Sequence, residues 1–323
     1  MHNTEHGTQI AERGRWNVKP RNKMRHKPKA VPPPKETRLK VTDQIELMTF
    51  LLAKMGGMSR NSVKSLLAHR QIMVNSKITT MFNQLLQPND QVTVNSSRGN
   101  IELKHPKLRI IFEDEYLIVV EKKEGLLTVI AGDSEETTAF SILKNHVKKS
   151  SPTNRIYTVH RLDRETSGVI MFAKNREVQQ ILQENWHRII TRRIYVAVVE
   201  GVIEKDEDTI TTWLKENEKS LKIYSSDTDN GGQQATTHYR KIKSNEQYSL
   251  LEIELETGRK NQIRVHMQGI GHPIIGDKKY GGATSPIDRL GLHARLLAFY
   301  HPITTDIVSF ETPVPRNFLN LFH

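Results

Sequence analysis

The segment His160-Arg161-Leu162-Asp163-Arg164-Glu165-Thr166-Ser167-Gly168 constrains this chain more than any other. It separates two apolar runs, residues 156–159 and 169–173, that read as strands. A short charged loop between two strands stands on a sheet, and loops on a rigid scaffold are where reactive side chains are commonly presented. Asp163 has one arginine two residues before it and another directly after it. Guanidinium neighbours favour the charged carboxylate, which suits a nucleophile better than an acid. The competing reading is an aspartate that only hydrogen-bonds its own turn, and spacing alone leaves both open.

The chain around this loop is mixed. Further strands are expected over residues 108–112, 117–121, 193–199, 235–242 and 249–256, with a helix around 178–188 and a short one over 261–267. Residues 295–300 and 307–310 read as a closing hairpin. The fold class that follows is α+β, a mixed, mainly antiparallel sheet with helices on its faces. Ahead of it, Leu47, Met48, Leu51, Leu52 and Met55 recur at helical spacing, and Gly56-Gly57 ends that helix. Ser59 caps a second helix with Val63, Leu66 and Leu67 on its buried stripe, and short strands follow at 72–74, 78–79 and 91–94. Residues 96–100 read as a linker. Three parts are expected: a disordered basic arm over 1–40, a small helix-plus-strands domain over 41–98, and a catalytic domain over 99–323.

Charge separates these parts. Residues 1–40 hold 11 Lys and Arg against 3 acids, and residues 41–100 hold 6 against 3. The remaining 223 residues carry only +1 of the formal +12. Basic groups gathered at one end point to a polyanion held through its phosphates, with salt-sensitive affinity. A solvated tail without a partner is the alternative. Arg60, Lys64 and Arg70, on or near the second helix, are the candidate phosphate contacts. The chain has no cysteine, which removes disulfides and Cys-rich zinc sites and fits a cytoplasmic protein. No metal ligand spacing, nucleotide loop or dinucleotide fingerprint appears, so no metal and no cofactor is expected. No apolar run reaches membrane-spanning length, and the N-terminus lacks the apolar core of a signal peptide. A monomer is expected.

The nine-residue loop, with Val169-Ile170, resembles the catalytic signature of the RluA-type pseudouridine synthases, which isomerise uridine in RNA. Two further blocks resemble the same family. One is Gly258-Arg259-Lys260-Asn261-Gln262-Ile263-Arg264-Val265-His266, continuing through Gly271-His272-Pro273-Ile274-Ile275-Gly276-Asp277 to Tyr280-Gly281. The other is Leu292-His293-Ala294 with Phe299 and His301-Pro302. The resemblance implies a central antiparallel sheet crossed by a cleft. It makes Asp163 the nucleophile, Arg264 its partner and Tyr195 the active-site tyrosine, with Arg161 and Ile263 at the substrate. The two helices and small strands of residues 41–98, with Ser59-Arg60 opening the second helix and Val74-Asn75-Ser76-Lys77 at the hairpin, resemble the alpha-L RNA-binding module of a ribosomal protein and of several RNA-modifying enzymes.

The residue types suit that chemistry. An arginine at 264 stays charged and can grip a carboxylate through both arms. A tyrosine offers a stacking face for an extruded uracil and a hydroxyl that can relay a proton. A uridine inside a helix has to leave the stack, and Arg161 is long and planar enough to take its place; pairing with Asp163 or Glu165 is its plainer alternative. Lys260-Asn261 departs from the family, which usually has Thr or a similar residue followed by His, so bonding near Arg264 is expected to differ. An alpha-L module ahead of this domain is similar to the arrangement in enzymes that modify large-subunit ribosomal RNA, which the resemblance makes the expected partner, with transfer RNA second. A non-catalytic RNA-binding or ribosome-assembly factor is the reading from another class, against which the intact Asp163, Tyr195 and Arg264 argue. A deaminase lacks its zinc ligands.

Overall fold

The computed structural model describes residues 36–55, 59–68, 71–95, 103–130, 135–283 and 285–322. Most of the basic arm, Gly56-Gly57, Arg70 and the 96–100 linker therefore lie outside the described residues.

Residues 36–95 form β1 (Glu36–Lys40), β2 (Ile45–Glu46), α1 (Leu47–Lys54), α2 (Arg60–Ala68), β3 (Ile72–Val74), β4 (Lys77–Ile78), β5 (Leu85–Leu86) and β6 (Gln91–Asn95). The last five residues of the expected arm are a correction to that expectation. Glu36–Lys40 is a strand that pairs antiparallel with β6, from Glu36 opposite Asn95 to Lys40 opposite Gln91. Its single leucine gives no apolar alternation, so the pairing partner, fifty residues on, decides the strand. The helices and strands share one core that includes Leu47, Leu51, Val63, Leu67, Ile72, Val92 and Val94. Ser59 Oγ accepts the Ser62 N–H at 3.1 Å, capping α2 as its sequence implies.

The larger sheet is built from β7 (Leu108–Glu113), β8 (Leu117–Lys122), β9 (Tyr157–Thr158), β10 (Ser167–Ala173), β11 (Ile190–Glu200), β12 (Glu207–Glu216), β13 (Ile223–Ser226), β14 (Gln233–Ser244), β15 (Tyr248–Leu255), β16 (Leu292–Tyr300) and β17 (Ile307–Glu311). Helices α3 (Ala139–Ser150), α4 (Arg176–Glu184), α5 (Trp186–Ile189), α6 (Gln262–Gly269) and α7 (Arg316–Leu319) lie between or after these strands. The strand order is β13-β12-β14-β15-β11-β16-β10-β8-β7, with β17 also on β16 and β9 also on β10.

Residues 117–120 of β8 and 169–173 of β10 are continuously apolar because both faces of these strands are covered. Ile118, Val120, Ile170 and Phe172 pack with Ala139, Leu143 and Val147 of α3. Leu117, Val119, Val169 and Met171 pack with Val178 and Leu182 of α4. Helix α3 starts at a reciprocal cap between Thr138 and Ser141. In the other half, α6 covers the face of β11 that carries Tyr195, Ala197 and Val199, and Phe318 of α7 packs with Val196 and Val198 on the opposite face.

The two halves meet at a narrow seam. All strand pairs of this sheet are antiparallel except β10 with β16, which is parallel and only two residues long: Ser167 opposite His293 and Gly168 opposite Ala294. Gly168 has φ +118, and a Cβ there would stand 2.1 Å from the Ala294 carbonyl oxygen. The Ser-Gly that closes the charged loop is thus the joint of the sheet, and only glycine permits the approach.

Candidate active site

The loop before β10 is held from beneath. Thr128 Oγ1 donates to the Leu162 carbonyl at 2.8 Å, and the Leu162 N–H donates back to the same oxygen at 3.2 Å. The Gly125 N–H donates to the Arg164 carbonyl at 2.9 Å. Lys122 Nζ donates to that carbonyl too, at 3.1 Å, and to the carbonyls of Leu126 and Lys123 at 2.8 and 3.1 Å. Lys122 is fully buried. Its three ammonium protons meet three carbonyl oxygens, which is what lets a buried cation stay there. Burial pushes its pKa down to about 8, against the raising effect of Glu165, Asp163 and Glu124.

On this base Asp163 presents a carboxylate whose side chain is 30% exposed. Its Oδ2 accepts from Arg264 Nη1 at 3.3 Å. Arg264 stands in the first turn of α6, whose N-cap Asn261 has φ 56, a left-handed position that asparagine tolerates well. The two-armed grip expected on Asp163 falls on Asp277 instead. Arg264 Nε and Nη2 donate to Asp277 Oδ2 and Oδ1, each at 2.7 Å. The Asp277 side chain is 0% exposed, and it also accepts the N–H groups of Lys279 and Tyr280 at 3.0 Å. A wholly buried carboxylate needs all its lone pairs met, so it takes the fork, while Asp163 keeps one end-on contact and an open side. Asn261 Oδ1 accepts a further bond from Arg264 Nη1 at 3.3 Å, and the Tyr280 ring lies 5.1 Å from the guanidinium carbon. Burial works against the charge on Arg264, but the bonds and charge of Asp277, then of Asp163, outweigh it and hold its pKa above the usual value.

Tyr195 lies in mid-sheet on β11, opposite Ile253 on one side and Ala294 on the other. Burial raises its hydroxyl pKa, opposed by Arg193 and reinforced by Asp163, so the hydroxyl keeps its proton at neutral pH. The three residues expected to act together therefore come from both sides of the seam: Asp163 from the β10 side, Tyr195 and Arg264 from the β11 side.

Two other expectations fare differently. Ile263 is 4% exposed and packs with Ala197, Ile253, Met267 and Leu292 in the core of this half. Helical geometry explains this: Ile263 and Met267, four apart, take the inward stripe of α6 and leave Arg264 at its edge. Arg161 is exposed and, among the described residues, makes no ion pair, so its plainer alternative as a partner of Asp163 or Glu165 is not what the structure contains. Arg60 and Lys64 are exposed on α2, four residues apart and so on one face.

Sequence reasoning passed over Lys122, Asp277 and a relay across the seam. Arg289 Nη2 donates to Ser167 Oγ at 2.7 Å. Thr312 Oγ1 donates to the Arg295 carbonyl at 3.4 Å and so accepts from His293 Nε2 at 2.9 Å, which leaves Nδ1 to accept the Ser167 hydroxyl at 2.8 Å. Burial, then Arg289 and Arg295, push His293 down to about 4, so the imidazole is neutral in this chain of bonds. His160 is likewise neutral, pushed down to about 3 by burial and Arg193, and its Nε2 accepts the Met171 N–H, which shapes the loop. A lysine after an apolar strand and an aspartate in a glycine-rich turn both read as solvent-facing, and no local signal says otherwise.

Among the described residues no helix is long and apolar enough to cross a membrane. Residues 116–269 match the family model described as RNA pseudouridylate synthase. The chain is 33% identical over 268 residues to the uncharacterized RNA pseudouridine synthase YhcT of Bacillus subtilis, covering 81% of this chain and 88% of that one. It is 32% identical over 313 residues to the ribosomal large subunit pseudouridine synthase D of Neisseria meningitidis serogroup B, covering 88% and 81%. The fold is similar to that of human RNA pseudouridylate synthase domain containing 4, with TM-score 0.53 at 22% identity over 65% of this chain and 90% of that one. The chain belongs to the RluA-type RNA pseudouridine synthases, enzymes that isomerise uridine in RNA.

Proposed function

We propose that this enzyme converts uridine to pseudouridine in large-subunit ribosomal RNA, with Asp163 as its nucleophile. The observation that carries the assignment of Asp163 is its position: a half-open carboxylate held at 3.3 Å by an arginine that is itself fixed by a second, buried carboxylate. An Asp163 oxygen attacks either the sugar or the base. The bond from ribose C1′ to N1 breaks, the uracil turns and C1′ bonds to C5; the bond to Asp163 breaks and restores the carboxylate, and C5 loses its proton while N1 takes one up. Electrons balance without an oxidant, and covalent attachment keeps the detached fragment in place between the two halves.

Arg264 holds the Asp163 oxygen that does not attack and opposes its neutralisation when RNA excludes water. Tyr195, protonated and beside Asp163, offers its ring to the extruded uracil and its hydroxyl to the departing proton. Arg161, exposed and without an ionic partner among the described residues, fills the space the base leaves. Residues 41–98 serve as the alpha-L module, with Arg60, Lys64, Arg70 and the charge of the basic arm directed to phosphates. Ribosomal RNA as the target is supported by similarity to the large-subunit enzyme of Neisseria.

Replacing Asp163 by Asn is expected to abolish tritium release from RNA labelled at uridine C5 while RNA affinity stays within a few-fold. Turnover near the unaltered rate would remove Asp163 from the mechanism. Pseudouridine mapping of total RNA from cells with and without the gene identifies the target; a site lost only from transfer RNA contradicts the ribosomal assignment. Replacing Arg60 and Lys64 together by Gln is expected to lower the salt slope of RNA binding by about two units, and an unchanged slope makes them bystanders.

A further inference from the structure

We propose that the cavity at the N-terminal end of β11 receives the nucleotide next to the target uridine, and that Arg193 binds the phosphate joining the two. This deepens the reading given above and rests on it for the nature of the substrate.

The cavity measures about 510 Å³, and its lining includes Trp186, Thr191, Arg193, His238, Glu254 and Glu256. That volume lies in the range of small-ligand sites and suits a single nucleotide. Strand alternation puts Arg193 on the same face as Tyr195, two residues away and so about 7 Å along the strand. Tyr195 packs against the cluster that holds Leu162, the residue before Asp163, so cavity and reaction centre are neighbours.

Arg193 is built for an anion it lacks. It is partly buried, and its Nη2 donates to the carbonyls of Leu255 and Glu256 at 3.2 and 3.0 Å. The Trp186 ring lies 5.9 Å from its guanidinium carbon. Among the described residues it has no carboxylate partner at ion-pair distance, whereas the acids of the same cavity are already engaged. Glu254 pairs with Arg192 at 3.5 Å and Glu256 with His238 at 3.3 Å. A desolvated cation without a counter-charge is unfavourable until an anion arrives. The guanidinium lies close against residue 258, where only glycine leaves it room; a Cβ there would stand 2.5 Å from Nη1. Carbonyls and an indole fix one side of a planar fork, and the other side faces a nucleotide-sized space beside the flipped base. In an enzyme whose substrate is RNA, the anion with that spacing is the adjacent phosphodiester.

The test uses a short RNA spanning the mapped uridine, with a neutral methylphosphonate replacing the phosphodiester on its 5′ or its 3′ side. The full-length enzyme is expected to bind one of the two about tenfold more weakly than the native RNA. Arg193→Gln should bind native RNA about tenfold more weakly, with a salt slope lower by about one unit, and should show no further loss with that methylphosphonate. Arg193→Lys keeps the slope if charge is what matters. An enzyme indifferent to both neutral linkages, or a Gln variant that still loses tenfold on the same linkage, overturns the proposal. The first of these outcomes needs no variant and so does not depend on how Arg193→Gln folds. Failure of the enzyme to isomerise the native RNA would instead count against the assigned target, which the binding comparison does not require.

Discussion

The turn around Asp277 and the loop around Asp163 offer carboxylates to the same guanidinium and hold it in opposite ways. Asp277 is wholly buried and takes two short bonds of 2.7 Å, with backbone N–H groups completing its shell. Asp163 is 30% exposed and takes a single contact of 3.3 Å. One end of Arg264 is therefore anchor and the other is tool. The difference teaches that an arginine can orient a reactive carboxylate without saturating it, provided another carboxylate, out of reach of substrate, fixes the arginine first.

Breaking the anchor should cost the most. Asp277→Asn leaves a mostly buried guanidinium with only its end-on contact to Asp163, and a stability loss of about 3 kcal/mol is expected in denaturant unfolding. Its turnover should fall as well. An Asn variant of unchanged stability would show that the fork contributes nothing to the fold.

Arg264→Lys sharpens the same contrast with a smaller effect. An ammonium can serve Asp277 or reach toward Asp163, but it has no fork to do both. Turnover should drop about 100-fold, the scale expected when a catalytic group is misplaced by an ångström. Most of the loss should lie in kcat rather than KM. Full turnover would mean that Asp163 needs only a nearby charge.

The smallest expected effect concerns how each carboxylate's own segment is held. The Asp163 loop rests partly on Lys122, whose proton leaves as pH rises through about 8. A neutral amine has two hydrogens for three carbonyls, so the loop loosens on the alkaline side. Turnover should decline by a few-fold above about pH 8, and Lys122→Met should flatten that limb while lowering the plateau. A decline that survives unchanged in Lys122→Met belongs to another group.

Much of this was legible in the sequence, and the gaps have physical reasons. The charged loop, the apolar runs of β8 and β10 and the block around Arg264 are local patterns, and each sits where its pattern places it. Strand β12, with three threonines among its ten residues, has weak alternation because neither of its faces is buried along most of its length. Strand β1 exists through its pairing with β6 and has no pattern of its own. Arg264 and Asp163 were recognisable as partners across a hundred residues by family resemblance alone. The prior claim of Asp277 on the guanidinium was hidden, since thirteen residues and a turn separate the two. Burial decides which carboxylate takes the fork, and burial is a property of the assembled sheet.

The central claim is that Asp163 does chemistry while Asp277 holds the arginine. The most direct measurement compares Asp163→Asn and Asp277→Asn in one pair of assays, single-turnover tritium release and denaturant unfolding. Asp163→Asn should lose roughly four orders of magnitude or more in rate with unfolding free energy within about 0.5 kcal/mol of the unaltered enzyme. Asp277→Asn should lose stability and retain a measurable rate. Equal loss of stability in both variants, or an Asp277→Asn enzyme as inert as Asp163→Asn yet fully stable, would contradict the division of labour.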